Sequence, residues 1–304
     1  MLRMSTVRSV ADLRAALASH RTAGATIGLV PTMGALHEGH LSLIRHARQS
    51  CDVVVVSLFV NPSQFNESSD LERYPRRERE DAALAADAGA DVLFAPAVDE
   101  VYPQGFSTAV EVLGVTDRLE GAMRGAAHFR GVATVVTKLL CMTLPDVAFF
   151  GQKDAQQVFV IKRLVSDLNL PVRIEALPTV RERDGLAMSS RNALLRHEER
   201  ASALALASAL SAAHDMLASG ERSADALLDA AHAALREFGV SAEYVEIVDP
   251  ATFEPIKQLH EDALMVIAAQ VGSIRLIDNS ALKPASPHLN DPLLQRKATV
   301  TCSA

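Results

Sequence analysis

The apolar and polar positions of the chain fall into two textures. Up to about residue 180, short, nearly continuous apolar runs are separated by segments whose apolar residues recur at helical spacing. The runs at 27–30, 53–59, 92–95, 108–111, 147–150 and 172–176 predict strands. The segments 41–49, 77–88, 131–142 and 156–168 predict helices, and an amphipathic helix is expected within 1–17. Strands apolar on both faces, alternating with helices, predict a parallel sheet covered on both sides. After about Arg191 the texture changes: 197–218 and 223–238 predict Ala- and Leu-rich helices, followed by strands at 244–248, 263–268 and 274–278. The expected fold class is α/β, a Rossmann-like doubly wound parallel sheet over 1–182. A second, smaller α+β C-terminal domain is expected over 183–304, placed as a lid, with an irregular tail from about 283 that holds Pro284, Pro287 and Pro292.

Composition narrows the class. Of 304 residues, 49% are apolar and 22% charged, enough to build a sizeable core. A net charge of −7 without a basic block argues against nucleic acid as a partner. Cys51, Cys141 and Cys302 are odd in number and widely spaced, which suggests a reducing compartment and neither a disulfide framework nor a zinc cluster. No signal peptide or membrane-spanning apolar run is read, so a cytoplasmic protein with no membrane partner is expected.

In open parallel sheets, ligands bind beyond the carboxyl ends of the strands, so polar residues just after strands are the candidates. The first such stretch is Pro31-Thr32-Met33-Gly34, followed by His37-Glu38-Gly39-His40 at the start of a helix. Unpaired N–H groups and the positive end of the helix dipole make that place an anion site. His37 and His40, three residues apart, add neutral donors or cations on one face, and Gly39 permits close approach. A zinc-protease helix needs histidines at i and i+4, so the spacing excludes it. Left open are two ordinary histidines at a helix start and a nucleotide phosphate site, which the strand–turn–helix context favours. The second constellation is Met188-Ser189-Ser190-Arg191, small and hydroxyl residues able to wrap a polyphosphate beside a fixed cation. The third is Lys153-Asp154 with Gln156-Gln157, which alone would also fit a solvated helix start with Asp as N-cap. Its lysine can stabilise charge on a transferring phosphoryl group, and Asp154 can orient that lysine or hold ribose or magnesium.

Taken together, Pro31 to His40, Phe59-Val60-Asn61-Pro62-Ser63-Gln64-Phe65, Phe149 to Asp154 and Asp184 to Asn192 resemble the pantothenate synthetase (pantoate–β-alanine ligase) family. The four motifs occur in order over most of the chain. The HxGH and MSSR stretches alone are similar to the signatures of the wider HxGH nucleotidyltransferase superfamily. The resemblance implies ATP-dependent joining of (R)-pantoate to β-alanine through a pantoyl-adenylate, with AMP and pyrophosphate released, in coenzyme A biosynthesis. It implies that His37, His40, Lys153, Ser189, Ser190 and Arg191 carry catalysis. Met33, Gly39, His40, Gly151, Lys153, Asp154, Val180 and Met188, with the two serines and Arg191, would hold ATP. Pro31, Met33, Gln64 and Gln157 would hold pantoate, and Asn61 would lie near β-alanine. Asp81 corresponds to an acidic position linked to Mg2+, and Glu120 to a second acidic position. A homodimer is implied as well.

The chain departs from the family pattern in places. Ala155 stands where an aromatic residue is expected and Gln152 where Glu is expected, and the segment 120–129 is one residue longer. The rival readings are another HxGH enzyme, an adenylyl- or cytidylyltransferase, and a nucleotide-binding regulator without catalysis. The middle motifs, 61–65 and 151–157, count against both.

Overall fold

The fold is that of a computed structural model, which describes residues 4–65 and 68–284. Six parallel strands form its main sheet, in the order β1 (Ser5–Val7), β4 (Val92–Phe94), β3 (Val53–Leu58), β2 (Ile27–Thr32), β5 (Val147–Gly151) and β6 (Arg173–Leu177). Parallel neighbours need crossovers. These are α1 (Val10–Thr22), α2 (Glu38–Ser50), α3 (Ser68–Arg73), α4 (Glu78–Ala88), α5 (Val98–Val101), α6 (Glu120–Arg124), α7 (Ala126–Thr143) and α8 (Ala155–Asp167). Because side chains alternate along a strand, Ile27 and Leu29 pack with Val53 and Val55 under α1, α7 and α8. Val30, Val54 and Val56 face the other way, onto Leu43, Ile44 and Ala47 of α2 and Ala85 and Ala88 of α4. Gly28 lies on that second face, where a Cβ would come within 2.9 Å of the Cys51 sulfur and 3.1 Å of the Phe149 ring.

The strand order reverses beside β2, and the crevice opens there. Strand β2 stays paired with β3 through Thr32, but its pairing with β5 ends at Leu29. Ile27 spends both its N–H and its C=O on Asp146, on the β5 side. By alternation Pro31 faces the same side, beyond the last β2–β5 pair. The residue that lacks a donor thus stands where the ladder has already parted.

The second sheet is antiparallel: β7 (Ala242–Val248), β8 (Ala263–Val271) and β9 (Ile274–Leu282). Three helices cover it, α9 (His197–Ala203), α10 (Ala205–Ala218) and α11 (Ala224–Glu237). Their Leu206, Leu210 and Leu227 share a separate core with Met265 and Ile267. The expected 197–218 helix is divided at Leu204. It is the one stretch among the described residues with the length and apolarity of a membrane span, and Leu206, Ala209, Leu210 and Ala213 bury its apolar face in this core.

Two expectations are corrected. The run 108–111 is not a strand. Its Val110 N–H donates to Thr134 Oγ1 on α7 at 3.0 Å, and Val110 packs against the main core near Val112, so its alternation serves packing on a helix. The sheet edge beside β4 is occupied by β1, which the sequence pattern did not predict. The tail beyond residue 284 lies outside the described residues.

An ion pair with a buried carboxylate joins the small sheet to α6. Arg275 of β9 donates to both oxygens of Glu120, at 2.7 and 2.8 Å, and the Tyr244 hydroxyl donates to the same carboxylate at 2.7 Å. Burial pushes the Glu120 carboxyl up, but these partners outweigh it and hold its pKa below the ordinary carboxylate range. The acidic position at 120 therefore ties the C-terminal sheet to the first turn of α6.

Candidate active site

The turn after β2 is held by unusual means. Gly34 (φ +89°) and Ala35 (φ 51°) both take left-handed backbone, strained for alanine. Buried Asp81 of α4 supports them: its carboxylate accepts from the Ala35 N–H at 3.0 Å and the Leu36 N–H at 2.7 Å. A Cβ on residue 34 would meet Leu58 at 2.9 Å and the Asp81 carboxylate at 3.0 Å, so glycine is required there on two counts. Asp81 thus fixes the turn from behind. It does not line the cleft, and both oxygens expected for magnesium are engaged by backbone.

The turn delivers His37 to the N-cap of α2, where its Nδ1 accepts from the Gly39 N–H at 3.2 Å. One turn on, His40 Nδ1 accepts from the His37 N–H at 3.4 Å, closing a reciprocal cap made of two imidazoles whose centroids lie 4.1 Å apart. An amide can only donate, so the ring proton of each neutral histidine sits on Nε2. Burial is the main force that lowers both pKa values, with Lys153 and, for His40, the neighbouring ring adding to it; His40 is pushed down to about 3. The choice between cations and neutral donors falls to neutral donors. Gly39 has a role the sequence did not show: a Cβ there would meet the His37 ring at 2.9 Å, so glycine makes room for the cap itself.

Across the crevice, Gly151 ends β5 and Lys153 and Asp154 follow in a single tight turn before α8. The C-terminal sheet reaches this turn: the Asn279 side-chain amide donates to the carbonyls of Gln152 (2.9 Å) and Lys153 (2.8 Å). The third wall is the 188–191 stretch, where Ser189 caps a short helical turn by accepting from the Arg191 N–H at 3.2 Å. Asn192 behind it donates to Glu182 and to the Ala187 carbonyl. Tyr74 hydrogen-bonds Ser190 from the opposite rim.

Asn61 and Gln64 form one unit. Asn61 is 1% exposed; its oxygen accepts from Ser63 and from the Tyr102 hydroxyl (2.8 Å), and its amide donates to Gly131 and to Gln64 Oε1 (2.9 Å). With Oε1 committed, Gln64 turns its NH2 toward Met33 Sδ, 3.3 Å away. Asn61, which lines the cleft, sets which end of Gln64 faces it. His128 Nδ1 donates to the Gln64 carbonyl at 2.9 Å and anchors the same unit.

One cleft collects nearly all the expected residues. Pro31, Met33, His37, Gly39 and His40 form one wall, and Gly151, Lys153, Asp154 and Gln157 the facing one. Val180, Met188, Ser189, Ser190 and Arg191 form the roof, with Asn61 and Gln64 at the end. The two acidic positions, Asp81 and Glu120, are left out. The sequence reading missed Tyr74, whose neighbourhood carried no motif. It also missed Val132, Val135, Val136 and Leu139, which line the cleft from α7. Their i, i+3, i+4, i+7 spacing was legible, but as a core stripe.

A doubly wound sheet whose switch point carries a histidine-capped helix start, faced by a lysine turn, defines an α/β enzyme of the HxGH kind. Within that class the comparisons are specific. The model of the pantoate–β-alanine ligase family matches residues 5–281, and the chain belongs to this family. The pantothenate synthetase of Cereibacter sphaeroides is 52% identical over 273 residues, covering 90% of this chain and 98% of that one. The crystal structure of pantothenate synthetase from Thermus thermophilus aligns with a TM-score of 0.88 at 46% identity, covering 92% of this chain and all of that one. The pantoate–β-alanine ligase of Francisella tularensis, solved with β,γ-ATP and β-alanine, aligns at 0.75 and 34% identity over 91% of this chain and 97% of that one. The reaction class is that of a ligase.

Two outcomes follow. Asp81→Asn replaces one acceptor facing the turn with a donor and is expected to lower the unfolding free energy by about 1–3 kcal/mol. It is expected to leave the magnesium concentration for half-maximal ligation unchanged; urea titration and a magnesium series measure the two, and a raised magnesium requirement with intact stability would contradict the assignment. The second concerns acid. Burial, then Arg124, pushes His128 down to about 4, and His40 lies near 3. The unfolded chain binds these protons near pH 6.5, so stability is fully present above that pH and declines as pH falls through it toward 4. The slope approaches about 1.4 kcal/mol per pH unit for each ring. In His128→Gln, urea midpoints between about pH 6 and about pH 4.5 are expected to show a slope smaller by about one proton; an unchanged slope would count against it.

Proposed function

We propose that the cleft joins pantoate to β-alanine at the expense of ATP through an acyl-adenylate. The observation that carries this reading is the pair of imidazoles at a helix N-terminus, each with Nδ1 spent on a backbone N–H, lining the same cleft as Lys153. A carboxylate oxygen is a poor leaving group, so the acid must be activated before an amine can displace it. In the proposed first step the pantoate carboxylate attacks the α-phosphorus of ATP and pyrophosphate leaves. In the second, the β-alanine amine attacks the carbonyl carbon, the C–O bond breaks and AMP departs.

Positioning and charge neutralisation carry such phosphorus chemistry. His37 and His40 donate to phosphate oxygens without giving up a proton, and Lys153 supplies the cation. Ser189, Ser190 and Arg191 receive the outgoing pyrophosphate, and Gly151, Asp154, Val180 and Met188 flank the nucleoside. Gln64 meets pantoate as a donor because Asn61 holds its oxygen, and Gln157 faces it from α8. Pro31, Met33 and the valine face of α7 offer the apolar surface that a gem-dimethyl group needs. Mg2+ would arrive with the polyphosphate and neutralise its charge; this ion binds through one or two carboxylates together with substrate phosphates. Asp154 is the one carboxylate among the described residues that line the cleft and fits that mode, whereas Asp81 does not. No group of three or more metal-binding side chains occurs among the described residues. The proposed setting is a cytoplasmic homodimer, in the route to coenzyme A.

The test is exchange of labelled pyrophosphate into ATP. Exchange is expected to need pantoate and not β-alanine; exchange without pantoate would refute the substrate order. His40→Ala and Lys153→Ala are expected to reduce it at least a hundredfold, on the order of the loss of a transition-state donor. In Gln64→Ala the loss is expected to fall on pantoate KM.

A further inference from the structure

The turn that carries Lys153 is held from the other sheet. Lys153 lies between β5 and α8, and its neighbours Gly151 and Gln152 offer no side chain that fixes it. Two of the turn's carbonyls, those of Gln152 and Lys153, point away from the cleft toward β9. There they meet one nitrogen, the side-chain amide of Asn279, which is 4% exposed and spends both of its hydrogens on them. A primary amide supplies both hydrogens from one nitrogen. A carboxylate of the same shape would set oxygen against oxygen, and a hydroxyl would satisfy one carbonyl and orphan the other.

Asn279 is itself immobilised. Its backbone N–H donates to Asp278 Oδ1 at 2.8 Å, and Asp278, with a side chain 2% exposed, takes a bidentate pair from Arg181 at 2.7 and 3.0 Å. Arg181 adjoins Val180 in the cleft roof and forms a backbone bridge to Ala187, next to Met188. Consecutive residues of β9 therefore grip the lysine turn on one side and the roof on the other. A side chain with four methylenes reports any shift of its backbone at its tip, and a displacement of about 1 Å is enough to cost two orders of magnitude in a phosphorus transfer.

We propose that Asn279 is a positioning residue for the adenylation step, acting through Lys153 by fixing the two carbonyls that flank its Cα. The second domain thereby holds a catalytic side chain in place. The inference rests on the reading of Lys153 as the cation at the transferring phosphorus.

The experiment is a double-mutant cycle on the full-length protein, read by pantoate-dependent pyrophosphate exchange. Asn279→Asp is expected to lower the exchange kcat by about tenfold to a hundredfold while the KM for pantoate stays within about twofold. Asn279→Ser, which keeps one donor, is expected to fall between Asp and the parent, and it carries the test by the same criteria if the Asp variant fails to fold. In a Lys153→Ala background the further loss from either change is expected to shrink below about twofold. A folded Asn279 variant with parental kcat, a loss confined to KM, or an undiminished loss in the Lys153→Ala background would each overturn the proposal. Parental exchange in Lys153→Ala alone would instead overturn the reading of the lysine, so the two failures are distinguishable.

Discussion

The site depends on one local interaction, the capping of α2 by its own two histidines. A helix start leaves four backbone N–H groups without partners, and side-chain oxygens usually take them. Here two ring nitrogens do so, His37 for Gly39 and His40 for His37. The cap settles three things together. It fixes the tautomers, keeps both Nε2–H groups free of the cap and leaves the helix dipole directed at whatever anion lies in the crevice. The three-residue spacing that excludes a zinc pair is the spacing a reciprocal cap needs. The features behind it follow from this one: Gly39 to clear the ring, the strained Gly34–Ala35 turn to place it, and buried Asp81 to hold that strain.

The cleft is assembled by the topology of the sheet. Pairing between β2 and β5 stops after two registers, while β2 and β3 continue. The space that opens beyond Leu29 lies between the histidine cap and the lysine turn. Valines of α7 close its floor, and the Asn61–Gln64 unit ends it with a donor of fixed direction. The second sheet is bound to this frame by two ion pairs with buried carboxylates, Glu120–Arg275 and Arg181–Asp278, and by Asn279. Asp278 and Asn279 join β9 to the roof and to the lysine turn, and Arg275 joins it to the start of α6.

Much of this was legible in the sequence, for identifiable reasons. Strands β2, β3, β4 and β5 are buried on both faces, so their apolar runs were unambiguous. Motifs that follow strands were correctly expected to converge, because an open parallel sheet puts its strand ends together. What failed was the part of the argument that depends on tertiary partners. The alternation at 108–111 fits a strand equally well but packs on α7, and the three residues of β1 carry no pattern of their own. Polar residues were harder still. Asp81 has the chemistry of a ligand, yet its oxygens accept from the backbone behind the cleft, and sequence spacing does not show which way a carboxylate points. Tyr74 and Asn279 act across the cleft and across the sheets, at separations no local motif records.

The central claim is the protonation and tautomer of the two histidines, and 15N NMR of the labelled protein addresses it directly. The account predicts that both rings carry their proton on Nε2 when neutral, that His40 stays neutral from about pH 8 to about pH 5.5, and that His37 titrates below the ordinary histidine value. A ring that titrates near pH 6.5, or that carries its proton on Nδ1, would contradict the reciprocal cap and the phosphate roles built on it.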